Sequence, residues 1–590
     1  MKKLILIFLG LVYYLTIQVN LGGLKEDKYR ANVFSFSIKS NVPHIINLHL
    51  GTDKYKISSV ICGKAKIRFD NTSRLWFEHK TSEEKIALHI GKGKVNCKAE
   101  VRNKGRYYMP MVKQKLTTFN YVVLFILIAY PLIYFMVLLL SMGLDKLKDK
   151  VSLNTIEYIP LSYTNNRRYV WFIGMLLLLG MGLRILYFQK FGVTHFQHDW
   201  QGHIGFIKYI STHWSLPLPS KGLQFPQQPL YYFVTAGLYQ LCMEMGMTHM
   251  QSIYSLGYFS LFCSFVFLYY GYRFFTLLTS SKWVQTVAVL FIVLTPSLVY
   301  MSARINNDVL VLALSAFSLH YIVRSYQSNF QQDFYKALIG VSLLFMTKIS
   351  AVPLELLFFA LLLMAYIQQD KSQVLKKKLL TFSVLGMFLL GLTLLRVYLP
   401  IENVFHFVNS SGHFPGQHIP VLDGKFFTYF DIKQLFTVQY NYTYMEDTST
   451  YTFLNHQYRT MFLGEFDYDK YVKSMEVFKV VTQSIFLLGF VYVVGFFVFI
   501  RYLFSARTVE KLLFLVLIIN LLLIISFVVT FPSICNTDFR YFVPSFLIFA
   551  YIFSQGLRYM SVKRWIQYIV SILLGLLVGS EVLFFSMLLT

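Results

Sequence analysis

Lys511-Leu-Leu-Phe-Leu-Val-Leu-Ile-Ile-Asn-Leu-Leu-Leu-Ile-Ile-Ser-Phe-Val-Val-Thr530 carries no charge after its first residue. Twenty residues at the helical rise of about 1.5 Å per residue span roughly 30 Å, the thickness of a bilayer's hydrocarbon core. Comparable apolar runs lie at 4–19, 119–141, 169–188, 252–278, 282–303, 308–326, 335–348, 350–367, 378–398, 478–500, 540–557 and 566–588. The expected fold is therefore an α-helical polytopic membrane protein with about 13 transmembrane helices. The run from 335 to 367 reads as two short spans meeting at Lys348. Composition agrees: 55% of the 590 residues are hydrophobic and only 14% charged, where a soluble surface needs roughly a quarter.

The net charge of +26 is distributed as a membrane protein distributes it. Between Asn20 and Thr118 there are 20 Lys/Arg against 8 Asp/Glu, a net of +12. Most of the remainder sits in short connections between apolar runs. With the N-terminus inside, the cytoplasmic connections hold 20 basic residues and the short outer ones three, Arg304, Lys348 and Arg540. That asymmetry is the positive-inside pattern and sets the orientation. No basic stretch interleaves with aromatics on a soluble fold, so no nucleic-acid partner is expected.

Residues 1–22 read as a signal anchor, because no small-x-small cleavage site follows the first run. The period then changes. Val33-Phe-Ser-Phe-Ser-Ile38 and Ala65-Lys-Ile-Arg-Phe69 alternate apolar and polar, so 23–118 is expected to be a small extracytoplasmic β-rich domain, a β-sandwich, inserted near the N-terminus. Such a basic domain suits anionic head groups or an anionic glycan, and equally a solubilising accessory. Its Cys62 and Cys97 could form a disulfide there. Cys242, Cys263 and Cys535 are expected to be packing residues. Residues 119–168 would hold the second transmembrane helix and a cytoplasmic linker, and 169–590 the transmembrane core, with outer loops 189–251 and 400–473.

The densest polar cluster opens the first outer loop: His195-Phe-Gln-His198-Asp199-Trp-Gln-Gly-His203. Three readings fit it. Asp199 can act as general base on a hydroxyl with a histidine orienting it, can cap the amphipathic stretch Asp199–His213, or can join His198 and His203 around a metal ion. Cations at the outer ends of apolar runs, Arg184, Lys348, Arg396 and Arg540, suit an anionic leaving group, or else reach the interface with their charged ends. The second loop is rich in tyrosine from Tyr440 to Tyr458, which fits a sugar-stacking groove or lid and equally an interfacial belt. Glu402 is a further candidate for sugar contacts.

The motif His198-Asp-Trp-Gln-Gly-His203, then Gln228-Pro-Leu-Tyr231-Tyr232, resembles the first outer loop of the GT-C superfamily of glycosyltransferases. That group includes the protein O-mannosyltransferases and lipid A aminoarabinose transferases. Arg304-Ile-Asn-Asn-Asp308, Thr347-Lys348 and Arg540-Tyr541-Phe-Val-Pro544 resemble later motifs of the same group in the same order. The resemblance covers 169 onward. The chain departs from it in having His198 where an acidic residue is common, and Gln227-Gln228 where a basic or proline residue is.

The resemblance implies a GT-C-like core with outer juxtamembrane helices, Asp199 as catalytic base with His198 beside it, and Asp308 as a second acidic residue in the site. It implies a polyprenyl-phosphate sugar donor, with Lys348, Arg396 and Arg540 as phosphate contacts and Arg184, His203, Tyr231, Glu402 and Tyr541 as further substrate-binding candidates. The expected partners are that donor, an extracytoplasmic lipid, protein or glycan acceptor, and membrane lipids. The cofactor is unknown and no metal ligand is assigned. The expected location is the cell (plasma or inner) membrane, with the N-terminus cytoplasmic and the site outside. A transporter or flippase of a lipid-linked or anionic substrate, and a glycan polymerase or ligase, are the rival functions.

Overall fold

The computed structural model describes strands at 19–26, 33–40, 44–50, 55–62, 65–68, 84–90 and 93–103. It further describes residues 167–193, 195, 199–217, 224–369, 372–397, 424–432, 452–464, 471–530, 534–561 and 564–589. Residues 4–18 of the expected first span, the span at 119–141, the tyrosines from Tyr440 to Tyr451, His198 and Glu402 lie outside the described residues, and Val19 begins a strand. The chain forms two compact units, 1–155 with 401–405, and 156–400 with 406–590.

In the first unit, β1 (Val19–Glu26), β2 (Val33–Ser40), β3 (His44–Leu50), β4 (Tyr55–Cys62), β5 (Ala65–Arg68), β6 (Glu84–Ile90) and β7 (Gly93–Asn103) form two antiparallel sheets. One has the order β1-β2-β7-β4-β5 and the other pairs β3 with β6. The register sets Cys62 opposite Cys97. Side chains of these strands, and with them the packing expected of a sandwich, lie outside the described residues.

The second unit is helical. Its elements are α1 (Arg167–Phe191), α2 (Trp200–His213), α3 (Leu230–Glu244), α4 (His249–Leu278), α5 (Lys282–Leu294), α6 (Pro296–Met301), α7 (Asp308–Gln327) and α8 (Phe334–Phe345). There follow α9 (Val352–Gln368), α10 (Gln373–Val397), α11 (Gly424–Thr428), α12 (Phe453–Leu463), α13 (Met475–Tyr502), α14 (Thr508–Thr530), α15 (Phe546–Met560) and α16 (Arg564–Leu589). Seven described helical segments are long and apolar enough to cross a membrane: 167–191, 249–278, 308–327, 349–368, 475–505, 508–529 and 564–589. The protein is a helical membrane protein. The amphipathic stretch expected at Asp199–His213 is the helix α2.

Local chemistry explains where the helices begin and break. Thr248 and Gln251 form a reciprocal capping box that starts α4, and the Ser281 hydroxyl caps α5. The apolar run 282–303 is two helices because Pro296 cannot donate to the Ile292 carbonyl. Arg184, fully buried on α1, fills the gap: its Nη2 donates to Ile292 O at 2.9 Å and its Nη1 to Val293 O at 3.0 Å. The core is aromatic about Phe291, whose ring lies 4.9 Å from Phe546, 4.6 Å from Phe553 and 4.7 Å from Tyr492. There α13 crosses α15 at two glycines: a Cβ on Gly556 would lie 1.8 Å from the carbonyl oxygen of Gly495. Only hydrogen at both positions permits that approach.

Candidate functional site

Asp199 stands at the N-cap position of α2, where a carboxylate ordinarily accepts from the helix's first amides. It makes no such bond. Its Oδ2 accepts instead from Arg540 Nη1 at 3.2 Å. Arg540 belongs to the 3-10 segment Phe539–Ser545 that leads into α15. Asp538 caps that segment, accepting from the Arg540 amide at 3.0 Å, and its Oδ2 lies 3.5 Å from Arg540 Nε. The guanidinium is thus placed between two carboxylates, one local and one from the first outer loop.

The turn before Arg540 is held by α12, from the second outer loop. Gln457 Nε2 donates to Thr537 O at 2.9 Å, and the Phe539 amide donates to Thr460 Oγ1 at 2.9 Å. Thr537 Oγ1 donates to Ile534 O at 2.7 Å and so accepts from His456 Nδ1, 2.8 Å away. Burial pushes the His456 imidazole down to about 4, so it acts here as a neutral donor.

A third carboxylate is Asp308, the first residue of α7, paired with Lys348 Nζ. Both turns carrying this pair are pinned from behind. Asn306 Oδ1 accepts from the Asp308 amide at 2.7 Å, Asn307 Nδ2 donates to Thr347 O at 3.2 Å, and the Leu230 amide donates to Met346 O at 3.1 Å. Asp308 also sits where the helix dipole favours negative charge.

Tyr541 joins the two ion pairs. Lys348 Nζ lies 5.1 Å from the centre of its ring and the Arg540 guanidinium carbon 5.3 Å from the same centre, within the range of cation–π attraction. Asp199, Arg540, Tyr541, Lys348 and Asp308 form one continuous cluster drawn from four separated stretches of chain. His203, on the first turn of α2, completes it: all four charged groups lie within electrostatic reach of its imidazole. It is 2% exposed, and burial lowers it to about 4, against the pull of Asp199 and Asp308 and with the push of Arg540 and Lys348. Its Nδ1 lies 2.8 Å from the Tyr232 hydroxyl.

Of the residues expected at the site, Asp199, His203, Asp308, Lys348, Arg540 and Tyr541 come together. Tyr231 is fully buried, edge-on to Tyr232, with Asp308 among its electrostatic neighbours. Arg184 does not join them. Its guanidinium is spent on Ser264 Oγ and the carbonyls of Gly180, Ile292 and Val293, so it ties α1 to α4 and α5 rather than meeting the cluster. Arg396 lies on α10 with its side chain outside the described residues. Tyr458 of the aromatic loop faces inward, donating to Phe486 O at 2.5 Å, and offers no ring to a ligand.

Three contributors were not anticipated. Asp538 is signalled only by its place two residues before Arg540, Gln227, whose Oε1 accepts from the Tyr232 hydroxyl at 2.6 Å, by its departure from the expected motif, and His456 by nothing in the local sequence. A narrow hollow beside Arg540 is lined by Ser297, Tyr300, Arg304, Thr460 and Asp538. Among the described residues no three His, Cys, Asp or Glu side chains gather as a metal site would. No protein-family model matches the chain, and no curated protein matches it.

Proposed function

We propose that the chain is an inverting glycosyltransferase that moves a sugar from a polyprenyl-phosphate-linked donor to an extracytoplasmic acceptor. The single observation that supports this reading is the cluster about Tyr541: the Asp199 carboxylate beside two cations, each paired with a carboxylate. In the proposed reaction Asp199 accepts the proton of the acceptor hydroxyl, and the oxygen attacks the anomeric carbon from the face opposite the phosphate. The bond from that carbon to the phosphate oxygen breaks, and its electron pair leaves with the lipid phosphate. Arg540 and Lys348 stabilise that developing charge, and Asp308 orients Lys348. Fixed cations of this kind contribute several kcal/mol to a transition state; loss of one comparable donor costs about 3–4 kcal/mol.

The finer architecture belongs to the same proposal: a GT-C-like core within about 13 spans, an N-terminal β-sandwich outside, the N-terminus in the cytoplasm, and the site on the outer face of the cell membrane. The test is incubation of purified protein in detergent with synthetic polyprenyl-phosphate sugars. Release of lipid phosphate by the wild type, and its loss in a folded Asp199→Ala variant, is the expected result. Consumption of diphosphate-linked donors alone would favour a polymerase or ligase. Vesicle uptake of a lipid-linked sugar without bond cleavage would favour a flippase.

A further inference from the structure

The proton on His203 can be placed from its neighbours. The Tyr232 hydroxyl owns one hydrogen and donates it to Gln227 Oε1 at 2.6 Å. The Gln227 amide nitrogen donates onward to Gln224 Oε1. Its hydrogen committed, the Tyr232 oxygen can only accept from His203, so the imidazole hydrogen sits on Nδ1. In a neutral imidazole Nε2 then carries a lone pair and no hydrogen. Among the described residues no partner meets it.

The relay is built into the fold. The Phe206 ring stacks on Tyr232 at 4.0 Å, and Gly202 leaves room for Gln224, whose Cγ would lie 2.8 Å from a Cβ at that position. Burial of the ring opposes a second proton and outweighs the pull of Asp199 and Asp308.

We propose that His203 binds the hydroxyl of the acceptor through a bare Nε2, and that this residue separates the acceptor's place in the site from the phosphate's. The chemistry is one of sign. The donor's ionised phosphodiester offers only hydrogen-bond acceptors, and Nε2 offers only a lone pair, so the two repel. A hydroxyl brings the hydrogen that Nε2 lacks. The donor's phosphate is thereby directed to Arg540 and Lys348, and the hydroxyl to Nε2 of His203. This rests on the glycosyltransferase reading for the identity of the hydroxyl; the proton placement does not.

The experiment is nitrogen-15 NMR on the full chain carrying labelled histidine, with the His203 signals assigned by their loss in His203→Gln. At pH 7.5 the expected state is neutral, with hydrogen on Nδ1 and none on Nε2. An Nε2–H tautomer or an imidazolium overturns the proposal. Adding a synthetic polyprenyl phosphate should leave Nε2 unprotonated, and conversion to imidazolium would make His203 a phosphate ligand and overturn it as well. In transfer assays His203→Gln should raise KM for a hydroxyl acceptor about tenfold, the scale of one lost hydrogen bond, with KM for the donor within about twofold. Equal rises in both would defeat the separation. A wild-type protein inert toward every polyprenyl-phosphate sugar, yet holding the Nδ1–H tautomer, would defeat the function and with it the acceptor's role, so the two failures are told apart.

Discussion

Arg540 Nη1 lies 3.2 Å from the Asp199 carboxylate although 341 positions separate them in the chain. The contact closes the first outer loop onto the start of α15. Because Asp538 holds Arg540 from the other side, the guanidinium keeps one anion if Asp199 turns toward a substrate. An arginine so placed can exchange Asp199 for a phosphate without becoming an isolated charge, whose desolvation would be costly.

Substitution of either partner should therefore separate chemistry from folding. Asp199→Asn keeps the shape and removes the base. Release of lipid phosphate is expected to fall by about 10²–10⁴-fold with little change in thermal midpoint, since the pair is partly exposed. Arg540→Lys should lose the fork that reaches Asp199 and Asp538 together and lower kcat without restoring it at high donor concentration. A kcat within a few-fold of wild type in both variants would remove the assigned roles.

The Lys348–Asp308 pair is expected to behave differently, because both side chains are largely buried. Lys348→Met leaves Asp308 as an uncompensated buried carboxylate, at a cost of about 3–5 kcal/mol. The double variant Asp308→Asn with Lys348→Met should recover most of that stability and none of the activity. Thermal unfolding in detergent of the three variants checks it; a double variant no more stable than Lys348→Met would show that the pair is not the source of the loss.

The membrane fold was legible because apolar runs of span length have few other readings, and from 169 onward every expected span carries a helix. Pro296 was visible, yet the run around it read as one span, since hydropathy does not register a missing amide hydrogen. Asp199, Asp308, Lys348 and Arg540 could be singled out as polar residues at the ends of apolar runs. Their pairing could not, because it joins helix ends that lie 40 residues apart in one pair and 341 in the other. Arg184 shows the limit of that rule. An arginine near the end of an apolar run looks the same whether it reaches the membrane surface or fills carbonyls left open by a proline in a neighbouring helix.

The crossing of α13 and α15 carries its own prediction. A methyl at 556 would meet the Gly495 carbonyl at 1.8 Å, and one at 495 the Phe553 carbonyl at 2.6 Å. Both obstacles are backbone, so the helices must part. Gly556→Ala should lower stability by about 1–3 kcal/mol or more, whereas Gly575→Ala, with nothing within 4 Å, should be neutral or slightly stabilising. Because α15 continues from the segment that bears Arg540, Gly556→Ala should also reduce activity. Equal unfolding midpoints for the two alanine variants would contradict the close contact.

Acid should loosen the site through two of its buried histidines, His203 and His456. His203 and His456 both titrate near 4 in the fold, burial being the main cause, against 6.5 when free. The unfolded chain therefore binds these protons first. Their contribution to stability is complete above pH 6.5, declines as pH falls from 6.5 to about 4, and changes no further below that. Each histidine accounts for at most about 3 kcal/mol over that window. His456 faces Asp538, which favours its proton, and Arg459, which opposes it; His203 faces Asp199, Asp308, Arg540 and Lys348. A falling thermal midpoint between pH 6 and 5 is the expected readout of the imidazoles. His456→Gln, whose amide can still donate to the 537 turn, should flatten the pH 6 to 5 slope while keeping transfer activity at pH 7.5. An unchanged slope in that variant would mean that His456 accepts its proton in the folded state, and that the turn carrying Arg540 is held by other contacts.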